Sequence, residues 1–318
     1  MLDNLSRIHF VGIGGAGMSA IAKVLLAKGY AVSGSDIAES ETVKRLQQLG
    51  AKIFIGHDAA NVQSAEAIVV STAIAGSNPE VAAAKTRGLT VFHRADIVAA
   101  LMDERRGIAV AGAHGKTTTT SMIALMLEKG DLDPTIIIGG DIDYLNGNAK
   151  LGGGEWLVAE ADESDASFLK LNPEVAVVTN IENDHMDHYG TMENILRAFG
   201  DFLGKLPADK GLGVLCFDNR HVRDLAPRAG RRYISYALDG EADFTAGSLQ
   251  SRGMTTTYQA CYRGRPLGTV SINVPGRHNV ANSLAAVAVG LHAGMPFERV
   301  AEGLGYFQGV KRRFQTKG

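Results

Sequence analysis

Cysteine is nearly absent from this chain. Cys216 and Cys261 are the two in 318 residues, and both sit in apolar, strand-like stretches. That is too few for a disulfide framework, and no CxxC spacing offers a zinc site. A reducing, cytoplasmic location is the expectation. Surplus charge of either sign is also missing: 32 Lys and Arg against 34 Asp and Glu leave −2. There is thus no basic field for nucleic acid or an anionic membrane, and any anionic ligand must be gripped locally. The first ten residues have no apolar signal core, and the most apolar later run, 281–295, is broken by Asn282 and His292, so no membrane insertion is expected. What is present, 45% apolar and 21% charged side chains, suits two folded domains, as a monomer or a homodimer.

Short β-branched runs alternate with helical patterns. Strands are expected over 8–11, 31–33, 68–70 and 89–92, and helices over 16–28, 41–49, 79–87 and 96–102. This is the βαβ rhythm of a parallel sheet covered on both faces. After the charged 103–107 segment a second series begins, with strands over 108–111, 156–159 and 175–179 and a helix over 117–129. Between about 233 and 274 strands follow one another without helices, which predicts an antiparallel patch; helices over 279–291 and 296–304 come next. The expected fold is α/β: a Rossmann-like, doubly wound domain over 1–104, then a P-loop α/β ATPase-type domain over 105–318 with a small antiparallel β patch.

Five motifs carry the chemistry. Gly12, Gly14, Gly15 and Gly17 form a GxGxxG after a strand and at the start of a helix, with Asp36 ending the next strand. Glycines let backbone approach a diphosphate, and the helix start supplies unpaired N–H groups. Three glycines at this spacing arise roughly 0.5 times by chance in a chain this glycine-rich, so the strand-turn-helix context carries the weight. NAD and a UDP-sugar both qualify as the ligand. The second motif, Gly112-Ala-His114-Gly115-Lys116-Thr117-Thr118, again joins strand to helix. Its backbone and Lys116 would take phosphates, and Thr117 would hold Mg²⁺. Val110 stands where a strict GxxxxGK[ST] has its first glycine. Third, Glu160, Asp162, Glu163 and Asp165 crowd four carboxylates into six residues, an arrangement that repulsion disfavours unless a cation is nearby. On a strand, Glu160 and Asp162 would share one face and Glu163 the other. Trp156 has the parity of Glu160, so its fluorescence is expected to respond to Mg²⁺-ATP. Fourth, Asn180, Glu182, Asp184, His185 and His188 follow a strand; the two histidines would share a helical face and suit a second Mg²⁺ or acid-base work better than zinc. Last, Asn279 and Asn282, at helical i, i+3, could read a base edge, and Lys311, Arg312 and Arg313 form a basic run.

Taken together, GIGGAGMS, GAHGKTTTT, EADESDASF, TNIENDHMDHY and PGRHNVANSLAAVAV resemble the Mur ligase family of peptidoglycan synthesis along the whole chain. Later-acting members carry a carbamylated lysine on a helix whose counterpart here, 194–202, has no lysine. That fits the alanine-adding branch, and it leaves open the related recycling ligase that attaches a tripeptide. The resemblance implies an ATP- and Mg²⁺-dependent amide-bond ligase joining L-alanine to UDP-N-acetylmuramate through an acyl phosphate. It implies that Gly12, Gly14, Gly15 and Gly17 meet the UDP diphosphate, with Asp36 and Ser71 near the uridine nucleotide. Gly112, His114, Gly115, Lys116, Thr117 and Thr118 would bind ATP, with Asn180 supporting the phosphate end and Asn279 and Asn282 meeting adenine. Thr117, Glu160 and His185 would ligate magnesium, and Lys116, Glu160, His185 and Arg313 would serve catalysis, Arg313 near the γ-phosphate. Family members also carry a C-terminal α/β domain that contacts the amino acid. The sequence stops where that domain would begin, so a two-domain fragment with little or no ligase turnover is the expectation.

Overall fold

The structure, a computed structural model, describes residue 2 and residues 4–145 and 147–310. Arg313, with Lys311 and Arg312, lies outside the described residues.

The first sheet is parallel throughout. It is built from β1 (Arg7–Val11), β2 (Ala31–Asp36), β3 (Lys52–Ile55), β4 (Ala67–Val70) and β5 (Thr90–His93) in the order β3-β2-β1-β4-β5. Helices α1 (Ala16–Ala27), α2 (Glu41–Gln48), α3 (Pro79–Thr86) and α4 (Arg94–Asp103) connect the strands. The chain winds outward from β1 through β2 to β3, then returns to place β4 on the other side of β1. That reversal opens a crevice at the carboxyl ends of β1 and β4, where doubly wound sheets bind ligands. β3 was not anticipated: Lys52–Ile55 is four residues at the sheet edge, none of them fully buried, and too short to show a period.

The second sheet has ten strands. Introduced along the chain, its elements are β6 (Arg106–Ala111), α5 (Lys116–Lys129), β7 (Thr135–Ile142), β8 (Gly147–Lys150), β9 (Trp156–Glu160), β10 (Val175–Val178), α6 (Met186–Tyr189), α7 (Met192–Gly204), β11 (Leu212–Cys216), α8 (Arg220–Leu225), β12 (Tyr233–Ala237), β13 (Phe244–Arg252), β14 (Thr255–Tyr262), β15 (Arg265–Ile272), α9 (Arg277–His292) and α10 (Phe297–Gly305). The strand order is β15-β14-β13-β12-β11-β10-β6-β9-β7-β8. Pairing is parallel from β7 through β13, so β12 belongs to the parallel part. The antiparallel patch is β13 to β15, and β8 adds an antiparallel edge to β7.

The central strands are apolar without alternation because both faces are covered. One parity of β6, β9 and β10, with Ala109, Ala159 and Val178, packs beneath α1, α4 and α7; the other, with Val110, Val158 and Val177, packs beneath α5, α9 and α10. The first of these cores runs on without a break into Ile8, Phe10, Ile21 and Val98 of the first sheet and its helices. The two sheets therefore share apolar packing. Asn148, donating to the Ala16 carbonyl (2.7 Å) and to Ser19 Oγ (3.1 Å), adds polar contacts across the seam. Among the described residues no helix is long and apolar enough to cross a membrane.

Candidate functional site

Two glycine loops leave the carboxyl ends of β1 and β6 and face each other. At the first, Gly12 N–H and Ile13 N–H both donate to the Ser35 carbonyl (2.8 and 2.9 Å), which turns the chain sharply out of β1. The Asp36 carboxylate accepts the Gly14 N–H at 2.8 Å. A β-carbon on Gly14 would come within 2.8 Å of that carboxylate, so the third residue of the loop has room for hydrogen only. Helix α1 then starts from Gly15 with no capping side chain, leaving its first turn open toward an anion. Ser71 follows β4 and closes a turn by accepting the Ile74 N–H (3.0 Å), and Ile74 lies against Gly12. The structure thus places Gly12, Gly14, Gly15, Asp36 and Ser71 at or just past the carboxyl ends of β1, β2 and β4, while Gly17, on α1, lines the cavity described below.

The second loop is shorter than a strict phosphate loop because Val110 is inside β6, fully buried and paired with Val177 and Glu160. Gly112 makes the exit, at φ +135°, where a β-carbon would lie 2.2 Å from Thr179 Oγ1. The Thr179 hydroxyl donates to the His114 carbonyl (2.6 Å). Asn180 clasps the same residue twice, accepting the His114 N–H (2.9 Å) and donating to its carbonyl (2.8 Å). These residues, just past β10, fix the loop against the sheet. Helix α5 begins from Gly115, again without a side-chain cap, and Asn282 lies against that glycine. The paired amides expected on α9 do not form one edge: Asn279 is 1% exposed and spends its amide N–H on the Pro275 carbonyl (2.7 Å).

Lys116 folds back to donate to the Gly112 carbonyl (2.6 Å) and to Glu163 (2.7 Å). Burial pushes the Glu163 carboxyl up, against the opposing pull of Lys116. Its carbonyl is held by the Tyr189 hydroxyl (2.5 Å), which burial and the surrounding acids push up to about 12. His185 lies 3.9 Å from the same Glu163 carboxylate. It precedes the single-turn helix α6 at φ +55°, so it does not share a helical face with His188, whose ring packs edge-on against Tyr189. The opposed directions expected of the acids are found: Glu160 and Asp162 line one cavity with Lys116, whereas Glu163 turns under the lysine. β9 ends at Glu160, so Asp162 is presented by the following loop.

That cavity, of about 310 Å³, is lined by Gly17 and Arg94 from the first domain and by Lys116, Gly139, Glu160 and Asp162 from the second. Arg94 pairs with Asp162 across it. Burial would raise the Asp162 carboxyl, but Ser164 and the Arg94 guanidinium offset this and hold it low. Sequence reasoning missed Arg94, which no motif marks, and Gly139 and Gly140, which interrupt the apolar run of β7. A β-carbon on Gly139 would lie 2.7 Å from Glu160, and one on Gly140 would lie 3.2 Å from Thr117. Gly139 leaves room around the Glu160 carboxylate, an oxygen ligand suited to Mg²⁺, and Gly140 leaves room beside the Thr117 methyl group. Among the described residues no three His, Cys, Asp or Glu side chains form a self-sufficient metal site; a magnesium ion shared with phosphates needs no such cage. Trp156 lies at the other end of β9, with the Arg106 guanidinium 4.0 Å from its ring. Four residues at 3.3 Å each put it about 13 Å from Glu160, so shared parity does not bring it to the site.

Two such loops meeting over one acid-lined cavity are the decisive feature, and they coincide with the family matches. Residues 7–106 match the Mur ligase family, catalytic domain, and residues 110–290 match the Mur ligase middle domain. The chain belongs to the Mur ligase family. It is 51% identical over 318 residues to a UDP-N-acetylmuramate--L-alanine ligase of Geotalea daltonii, covering 100% of this chain and 69% of that one. It is 52% identical to the protein of the same name from Geobacter sp. strain M21, with the same coverage. Among solved structures, the UDP-N-acetylmuramate-alanine ligase of Thermotoga maritima superposes with a TM-score of 0.86 at 31% identity, over 97% of this chain and 70% of that one. The UDP-N-acetylmuramate:L-alanyl-gamma-D-glutamyl-meso-diaminopimelate ligase of Neisseria meningitides gives 0.89 at 28% identity, over 97% and 100%.

Proposed function

We propose that this Mur ligase chain carries the sugar-nucleotide and ATP sites of a cytoplasmic enzyme that joins L-alanine to UDP-N-acetylmuramate in peptidoglycan precursor synthesis. The observation that carries this is the single cavity reached by Gly17 of one glycine loop and by Lys116 and Glu160 of the other. Identities of 51% and 52% to alanine-adding ligases support alanine as the amine.

In this reading residues 1–104 bind the sugar nucleotide and 105–318 bind ATP. Gly12, Gly14, Gly15 and Gly17 receive the diphosphate, while Asp36 orders the loop and Ser71 borders the nucleotide. The 112–118 loop wraps the ATP phosphates, steadied by Asn180, with Asn282 beside Gly115 as the α9 amide left to meet the nucleotide, since Asn279 is buried and bonded to Pro275. Thr117, Glu160 and His185 would hold magnesium, which supplies charge neutralisation when bound with the nucleotide. A carboxylate is a poor electrophile, so its oxygen first attacks the γ-phosphorus as ADP leaves. The amine then attacks the acyl carbon, and phosphate departs with the loss of a proton from nitrogen. Lys116, drawn from Glu163 onto the γ-phosphate, neutralises charge as it spreads in the transition state, and the cavity walls hold acceptor and donor in line. No serine or cysteine nucleophile is needed.

Calorimetry with UDP-N-acetylmuramate, NADH and Mg²⁺ with the ATP analogue AMPPNP tests this reading. Binding of the sugar nucleotide and of AMPPNP, with AMPPNP binding lost in Lys116→Ala, is the expected result. Tight NADH binding without a response to UDP-N-acetylmuramate would overturn it in favour of a dehydrogenase-like dinucleotide site.

A further inference from the structure

One cation stands beside each of the two loops, and both cations are held by consecutive acids of one segment. Arg94, the first residue of α4, pairs with Asp162; Lys116, the first residue of α5, pairs with Glu163 at 2.7 Å. Arg94 also lies against α1, the helix that follows the diphosphate loop: its Nη1 is 2.9 Å from where a β-carbon of Gly17 would stand. Both pairs are sheltered, with Arg94 23%, Asp162 33%, Lys116 19% and Glu163 4% exposed at the side chain. The segment itself is tied down. Asp162 accepts the Ser164 N–H (3.0 Å), its carbonyl accepts the Phe168 N–H (3.0 Å), and the Glu163 carbonyl accepts the Tyr189 hydroxyl (2.5 Å). The backbone between the two acids is thereby fixed, and what can exchange is the partner of each carboxylate.

We infer that Arg94 binds an oxyanion of the sugar-nucleotide substrate, that Asp162 is its placeholder in the free protein, and that this exchange couples the two substrate sites. The inference rests on the function proposed above. A guanidinium facing a cavity into which two polyanions must enter is satisfied by a carboxylate only until a better oxyanion arrives. When the substrate takes Arg94, Asp162 is left uncompensated on the same cavity wall as Glu160. That added negative charge favours a divalent cation there, and with it the nucleotide. Sugar-nucleotide binding therefore tightens Mg²⁺-AMPPNP binding, and by linkage the reverse holds by the same factor. Lys116 and Glu163 form the matching pair on the nucleotide side, which explains why the two acids are adjacent but face opposite ways.

The test is calorimetry of Mg²⁺-AMPPNP with and without saturating UDP-N-acetylmuramate, on the wild-type chain, Arg94→Lys and Asp162→Asn, with thermal melts confirming that each variant is folded. Wild type should show about fivefold or greater tightening of AMPPNP by the sugar nucleotide. Asp162→Asn should bind UDP-N-acetylmuramate more tightly than wild type and show coupling below about twofold. Arg94→Lys, which keeps the charge but loses the fork, should bind UDP-N-acetylmuramate about tenfold more weakly. Repeating this with UDP-N-acetylglucosamine, which has no lactyl carboxylate, identifies the oxyanion: a loss confined to the muramate assigns Arg94 to the carboxylate, and a loss with both assigns it to the diphosphate. Wild-type affinity for both sugars in Arg94→Lys, or wild-type coupling in Asp162→Asn, overturns the inference while leaving the ligase reading intact. A wild-type chain that binds neither UDP-N-acetylmuramate nor AMPPNP overturns the ligase reading itself.

Discussion

Gly112→Ala is the substitution for which the structure gives the sharpest arithmetic. At φ +135° an alanine is strained, by about 1–3 kcal/mol. Its new β-carbon would also stand 2.2 Å from Thr179 Oγ1, 2.8 Å from the Asn180 carbonyl oxygen and 3.0 Å from the Asn180 nitrogen. Two of these three atoms are backbone, so relief requires moving the exit of β10, at a further cost of about 1–3 kcal/mol. Together the substitution should destabilise the fold by about 2–6 kcal/mol. Gly50→Ala separates the two effects, because Gly50 has φ +101° but open space around its would-be β-carbon; it should show the strain alone. Urea denaturation of both variants, with Mg²⁺-AMPPNP calorimetry on the folded fraction, makes the comparison. Gly112→Ala should be less stable than Gly50→Ala by about 1–3 kcal/mol. It should also lose nucleotide affinity, because Thr179 and Asn180 are the residues that hold His114. Equal stabilities with unchanged nucleotide binding would refute the reasoning.

Asn180→Ala removes both bonds to the His114 backbone, together about 1–3 kcal/mol; nucleotide affinity should fall about tenfold while UDP-N-acetylmuramate affinity stays near wild type, and an equal loss of both would contradict this. Glu80 is fully buried, and although burial raises its carboxyl, His9 at 3.6 Å and hydrogen bonds from Ser35 and Asn61 bring it down to about 2 from an ordinary value of 4.5. Because the folded value is the lower one, its ionisation stabilises the fold above about pH 4.5, by about 3 kcal/mol. That contribution is lost as pH falls from there toward 2. Urea denaturation from pH 6 to pH 2 should show Glu80→Gln less stable than wild type at the top of the range, with the gap closing at the bottom; a constant gap would contradict this. Trp156, buried beneath Arg106, should keep its emission wavelength when Mg²⁺-AMPPNP binds, and a shift would place nucleotide contacts nearer the amino end of β9.

The alternation of β-branched runs with helical patterns made the two parallel sheets legible, since strands covered on both faces must be continuously apolar and their crossovers amphipathic. The glycine loops were legible because backbone must approach phosphate and only glycine allows it. Some strands were harder to see: β3 and β8 are four residues each and carry little periodicity, and the inner β7 was also not anticipated, its apolar run being interrupted by Gly139 and Gly140. At the site, the acids divide as strand parity predicts, although β9 ends at Glu160 and the loop after it, not the strand, presents Asp162 and Glu163. Arg94 did not, because an arginine at the start of a helix has no pattern until the fold carries it to Asp162, 68 residues away. The direction of an amide is equally invisible in sequence. Asn279 and Asn282 have helical spacing, yet one turns back to Pro275 and the other lies against Gly115.

The most direct test of the account is whether the sugar acid and the nucleotide's metal occupy one cavity. UDP-N-acetylmuramate labelled with ¹³C at its carboxylate, bound to the chain with AMPPNP, should show its carboxyl resonance strongly broadened when Mn²⁺ replaces Mg²⁺, and the broadening should vanish in Lys116→Ala, which is expected to lose the nucleotide. A carboxyl resonance that stays sharp while both ligands are bound would place the two sites apart and contradict the account.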